Sequence, residues 1–185
     1  MAKNIVLIRF SSREFGNCAS VIDEISKYYE AEAVSSYVVD GNTVQPCNNC
    51  DYECLHPQKL CPNVSDGQKE VMDAVCEADL VYFIVPNYCG YPCANYFAYN
   101  ERTVGYFNLN RELMKRYMEV PKRFIIISNT EGQNFTNAMQ QQVTGEPDIL
   151  YLKSGKYGKK STAGDIVDSD ATKADLEAFL KQYLI

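Results

Sequence analysis

Four cysteines and the chain's only histidine fall within the stretch CNNCDYECLHPQKLC, which runs from Cys47 to Cys61. The spacing is C-x2-C-x3-C-x6-C through Cys47, Cys50, Cys54 and Cys61. Four thiolates on loops this short can close around one metal ion or an iron–sulfur cluster. His56 offers a further ligand to zinc, and uncoordinated thiols are the third reading; the residues leave all three open. A thiol–disulfide role for Cys47 and Cys50 is disfavoured, because their CNNC does not stand at a helix N-terminus after the first strand.

Two other stretches carry chemistry. SSREFGNC, from Ser11 to Cys18, sets two hydroxyls, a guanidinium, a glycine and an amide just ahead of a helical pattern. Unpaired N–H groups at a helix start, with the helix dipole, favour a phosphate, and Ser11, Ser12, Arg13 and Asn17 add donors and charge. An ordinary helix cap explains the same residues. The stretch lacks a GxxxxGK[ST] pattern, which disfavours nucleoside triphosphates. PNYCGYPCAN places Tyr88 and Gly90 after an apolar run, where a flat ring can stack beside backbone donors; a Gly/Pro turn with a surface tyrosine is the alternative. No serine or cysteine near His56 has a nucleophile setting, so a hydrolytic triad has no candidate.

These residues need a scaffold. Residues 4–10 read as a strand buried on both faces, and Cys18, Val21, Ile22, Ile25, Tyr28 and Tyr29 form one stripe of the helix that follows. Further strands are expected at 33–40, 79–86, 122–128 and 148–152. Helices are expected from a Ser65/Gln68 capping box to about Ala78, at 137–143, and from Ala171 with Leu176, Phe179, Leu180 and Tyr183 on one face. Strand and helix alternate throughout, which implies a mainly parallel sheet covered on both faces. Ligands of such sheets sit at the carboxyl ends of the strands, near the switch in strand order. The loops to examine are SSREFGNC, PNYCGYPCAN and SNTEGQN.

The whole chain of 185 residues reads as a single domain, with a Cys-rich insertion at 47–61. A net charge of -6 and the absence of basic runs argue against nucleic acid as a partner. The opening MAKNIVLIRF is too short an apolar run for a signal peptide or a membrane span, so a cytoplasmic protein without membrane contact is expected. In that compartment its eight cysteines are thiols or metal ligands rather than disulfides.

Together the loops resemble those of the flavodoxin-like NADPH-dependent FMN reductases. SSREFGNCAS is similar to that family's serine, arginine, glycine-asparagine phosphate loop. VPNYCGYPCANYFAYNER is similar to its proline-x-tyrosine flavin loop, which runs on to an aspartate-arginine pair. The chain departs from the pattern at Cys18, where serine or threonine is usual, at Phe97 for lysine, and at Glu101 for aspartate. The resemblance implies a flavodoxin-like doubly wound α/β fold with a five-stranded parallel sheet of order 2-1-3-4-5. It implies FMN held at its phosphate by Ser11, Arg13, Asn17 and Cys18. Pro86, Asn87, Tyr88, Cys89 and Gly90 line the isoalloxazine, and Thr130, Glu131 and Gly132 close the pyrimidine side. One subgroup, the iron-sulfur flavoproteins, carries a compact four-cysteine motif at the place of Cys47, Cys50, Cys54 and Cys61, typically with two residues between the second and third cysteines.

The function expected on this resemblance is an oxidoreductase that passes electrons from NAD(P)H through FMN to a small-molecule acceptor or a redox protein. A [4Fe-4S] cluster or zinc is a further cofactor candidate. The rivals are an iron-sulfur flavoprotein, a flavodoxin-like carrier without nicotinamide turnover, and a zinc-bearing interaction module. Tyr91, Tyr96, Phe97, Tyr99, Tyr106 and Phe107 read as core or as subunit contacts, and a homodimer or homotetramer built partly on 91–107 is expected.

Overall fold

The computed structural model describes residues 4–47 and 50–183. Strand β1 (Ile5–Arg9) leads into helix α1 (Asn17–Tyr28), and β2 (Val34–Val38) is followed by the cysteine segment and helix α2 (Gln68–Glu77). After β3 (Leu80–Tyr88) come the short β4 (Tyr91–Pro92) and three helices, α3 (Ala94–Glu101), α4 (Thr103–Phe107) and α5 (Arg111–Glu119). Strand β5 (Lys122–Ser128), helix α6 (Phe135–Gln140), strand β6 (Asp148–Lys153) and helix α7 (Asp170–Lys181) complete the chain.

The parallel strands lie in the order β2-β1-β3-β5-β6, which is the expected doubly wound arrangement. Period-two alternation divides the central strands between two cores. Ile5, Leu7, Leu80, Tyr82, Ile84, Ile125 and Ile127 face α1 and α7, where Val21, Ile25, Leu176 and Leu180 meet them. Val6, Ile8, Val81, Phe83, Phe124 and Ile126 face the other helices and pack on Met72, Val75, Tyr96, Tyr99 and Tyr117. Burying each such side chain stabilises the fold by about 1.5–3 kcal/mol, so the central strands anchor the loops at their carboxyl ends.

The parallel strands number five, as expected, and β4 adds a short antiparallel pair at the end of β3, Asn87 opposite Pro92 and Tyr88 opposite Tyr91. Cys89 and Gly90, with φ of 54° and 86°, form the two-residue turn whose geometry demands positive φ at both positions. Helix α2 starts at Gln68 rather than on a Ser65 capping box. The Gly67 N–H donates to the Thr43 carbonyl (2.8 Å), and Asp66 Oδ1 accepts from the Gln68 N–H (3.1 Å), so contacts distant in sequence set the helix entry. Of the aromatics read as core or subunit contacts, Tyr96 and Tyr99 are fully buried in the chain's own core, while Tyr91 and Phe97 are exposed.

Candidate functional site

The loop from β1 to α1 is folded back on itself. Arg9 Nη1 donates to the Arg13 carbonyl (2.8 Å), and a Cβ on Gly16 would stand 3.1 Å from Arg13 Cβ. Gly16 is the helix cap and is buried; the Ala19 N–H turns back to the Gly16 carbonyl (2.9 Å), and the Asn17 and Cys18 N–H groups begin the helix with no partner inside it. A cavity of about 240 Å³ lies in front of them. Ser11, Arg13, Asn17 and Cys18 line it together with Pro86, Asn87 and Tyr88 from the end of β3. The strands that deliver these residues, β1 and β3, flank the point where strand order reverses.

Asn17 lines the cavity and also ties the chain together. Its amide Nδ2 donates to the Lys160 carbonyl (3.1 Å) and its Oδ1 accepts from the Ile166 N–H (3.2 Å), so the buried side chain ties residues 160–166 to the start of α1. The tie brings Ser161 and Thr162 into the cavity wall, alongside Ile127 and Asn129. Sequence reading missed all four. The legible trace of the loop was the small polar run STAG ending in Gly164, which sits at φ +78°.

Asn87 joins the β3–β4 hairpin to the loop after β5. Its Nδ2 donates to Ser128 Oγ (2.7 Å), Thr130 Oγ1 (3.3 Å) and the Glu131 carbonyl (3.4 Å), and its Oδ1 accepts from the Gly90 N–H (2.8 Å). Cys89, Gly90, Thr130, Glu131 and Gly132 do not line the cavity. Cys89 and Gly90 are spent on the turn. Glu131 pairs with Lys153 Nζ (2.6 Å), and a Cβ on Gly132 would stand 2.5 Å from Tyr151 Cε1, so that glycine serves packing. Tyr88, a little over half exposed, stands at the cavity mouth.

Burial pushes the Cys18 thiol up to about 12, with Cys93 beside it adding to the shift, and burial pushes Cys93 up to about 11. Both stay protonated at neutral pH, so neither supplies a thiolate nucleophile to the site.

The other constellation assembles at α3 and α4. Cys47, Cys50, Cys54 and Cys61 line one small cavity together with Glu101, Arg102, Val104 and Gly105. The segment is clamped onto the helices: Glu101 Oε1 accepts from the Cys47 N–H (2.5 Å), and Arg102 bonds the carbonyls of Gln45 and Asn63 (2.9 Å each). Gly105 permits the approach, since a Cβ there would meet Cys61 Cβ at 3.4 Å, Cys54 Cβ at 3.6 Å and Cys61 Sγ at 3.7 Å. Burial, then the charges of Glu101 and the other three cysteines, hold the Cys47 thiol above its ordinary value. His56 is exposed and lies outside the lining. Among the described residues, no three cysteine, histidine or acidic side chains are placed to hold a single metal ion.

No family model matches the chain, and no curated protein matches it by sequence. Solved structures do match. Trp repressor binding protein from Bacillus subtilis superposes with a TM-score of 0.64 at 11% identity, covering 97% of this chain and 99% of that one. The flavoenzyme NAD(P)H:(acceptor) oxidoreductase FerB from Paracoccus denitrificans gives 0.60 at 13%, covering 97% and 96%. The fold is flavodoxin-like. NAD(P)H:quinone oxidoreductase from Methanothermobacter marburgensis shares this flavodoxin-like fold with a TM-score of 0.56 at 14% identity, over 98% of this chain and 97% of that one. Among the described residues no helix is long and apolar enough to cross a membrane.

Proposed function

We propose that the chain binds FMN in the cavity at the β1/β3 switch and acts as an NAD(P)H-dependent oxidoreductase on a small-molecule acceptor such as a quinone or free flavin, or on a redox protein. The observation that carries this reading is one convergence. The start of α1, Arg13, Ser11, Ser161 and Thr162 line one cavity together with Pro86, Asn87 and Tyr88.

The donor set fits a flavin mononucleotide. First-turn N–H groups of α1 and the Arg13 guanidinium suit a dianionic phosphate, and the hydroxyls supply further donors without adding charge. Pro86 and Tyr88 offer the apolar wall a planar ring needs, and the aromatic face of Tyr88 stands where it can cover that ring. FMN bound there would supply the hydride and single-electron chemistry, which needs no catalytic acid or base from the protein. The chain's part would be to hold the phosphate and to orient the ring through the Asn87-stapled hairpin. Two of the structural neighbours are named as NAD(P)H oxidoreductases, which supports the nicotinamide as electron source.

A second reading adds to the first. A cluster would use the four cysteines that line one cavity, the all-thiolate ligand count such clusters take. Cys47, Cys50, Cys54 and Cys61 would hold it. The protein would then be an iron–sulfur flavoprotein, cytoplasmic, and assembled as a homo-oligomer through the exposed side of 91–107.

The test is FMN titration followed by NADH and NADPH oxidation assays with a quinone acceptor. Tight FMN with turnover is expected. Tight FMN without turnover with either nucleotide would make the chain a carrier, and stoichiometric zinc without flavin would make it an interaction module.

A further inference from the structure

Arg102 stands at the junction of α3 and α4, only 4% exposed. A cation this deep needs compensation, and its partners all belong to the two ends of the cysteine segment. Nη1 donates to the Gln45 carbonyl and forms an ion pair with Asp66 Oδ2; Nη2 donates to the Asn63 carbonyl and approaches Cys61 Sγ at 3.8 Å. Asp66 in turn accepts from the Gln45 N–H (2.9 Å), so one ion pair closes the base of the loop that carries all four thiols. The third guanidinium nitrogen, Nε, is buried and has no partner. A loop clamp alone would not need a charge here: the two carbonyls need only neutral donors, and the cation brings the partly buried Asp66 carboxylate with it. A charge set against cysteine sulfur, with a donor to spare, suits a centre that becomes more negative.

We propose that Arg102 is a positioning residue that sets the reduction potential of an iron–sulfur cluster held by Cys47, Cys50, Cys54 and Cys61, with Asp66 opposing it. The inference rests on the cluster reading above. When the cluster is reduced, one electron enters and no bond is made or broken, so the centre gains one negative charge. The Arg102 cation favours that form and raises the potential, while the Asp66 carboxylate disfavours it; net charge and hydrogen bonds to sulfur are among the levers that set such potentials.

The experiment uses the full chain and its Arg102→Gln, Arg102→Lys and Asp66→Asn variants, each reconstituted anaerobically with iron and sulfide. Iron and sulfide per chain, folding by circular dichroism, and the cluster potential by dithionite titration followed by electron paramagnetic resonance are measured. Arg102→Gln is expected to lower the potential and Asp66→Asn to raise it. Each should shift the reduced-to-oxidised ratio about tenfold at fixed potential, or about 59 mV for one electron. Arg102→Lys, which keeps the charge but not the fork, should fall between Arg102→Gln and the parent. A purely structural clamp predicts loss of iron from both charge-removing variants with no opposed shifts. Should Arg102→Gln fail to load, Asp66→Asn still decides: an unchanged or lowered potential overturns the inference while leaving the cluster intact. A parent chain that takes up no iron and sulfide overturns the cluster reading itself, and this inference with it.

Discussion

Arg13 contributes the side-chain cation of the proposed phosphate site, and its backbone is fixed by Arg9 rather than by the ligand. Arg13→Ala should therefore weaken FMN binding without unfolding the loop, by about 1–3 kcal/mol for a charge-assisted contact. Fluorescence titration of FMN checks this; an unchanged dissociation constant removes Arg13 from the site. Lys122 allows a separate test of the fold's electrostatics. It is buried at the start of β5, over the Tyr117 ring, and burial pushes its ammonium down from 10.5 to about 8. Between those values the unfolded chain holds more protons than the folded one, so stability rises with pH through the window. The penalty is whole below about pH 8 and gone above about 10.5, on the order of 3 kcal/mol. Lys122→Met removes it, together with the donors to the Tyr117 and Val120 carbonyls, so urea denaturation should show the variant's stability relative to the parent falling as pH rises from about 8 to 10.5. A pH-independent difference would mean that Lys122 is not desolvated.

At the scale of elements, strands β1, β3 and β5 were legible because burial on both faces leaves nearly unbroken apolar runs, IVLI, LVYFIV and FIII. The α1 stripe was legible for the same reason, one face meeting the sheet. What the sequence concealed depends on partners far along the chain. The entry to α2 is set by Thr43, the 160–166 loop is drawn into the site by Asn17, and the helix junction at Arg102 closes the cysteine segment. None of these leaves a periodic trace. The turn in PNYCGYPCAN was legible from its glycine and prolines, but not its position at Cys89, where a non-glycine residue takes positive φ. The loop that holds Ser161 and Thr162 depends on Gly164, where positive φ and the Phe15 carbonyl leave no room for a Cβ. Gly164→Ala should cost about 1–3 kcal/mol in urea denaturation and weaken FMN binding as the hydroxyls withdraw. A variant with parental affinity would show that Ser161 and Thr162 are not part of the phosphate site.

For the whole molecule, the doubly wound sheet carries the two proposed sites at different places. The cavity at the β1/β3 switch is built from loops at the carboxyl ends of strands, while the cysteine segment leaves β2 and is seated on α3 and α4. Tyr91 and Phe97 are the aromatics of 91–107 that stay more than a third exposed, so an assembly through this side depends on them. Sedimentation analysis should find a homo-oligomer that Tyr91→Ser with Phe97→Ser shifts toward monomer; a parent chain that sediments as a monomer with FMN bound contradicts the proposed assembly. The central claim is the FMN site, and its most direct test is equilibrium titration of the purified chain with FMN, read by quenching of flavin fluorescence and by the visible spectrum. The account predicts saturable binding of one FMN per chain, weakened by Arg13→Ala; a chain that leaves FMN free in solution at every concentration tested would contradict it.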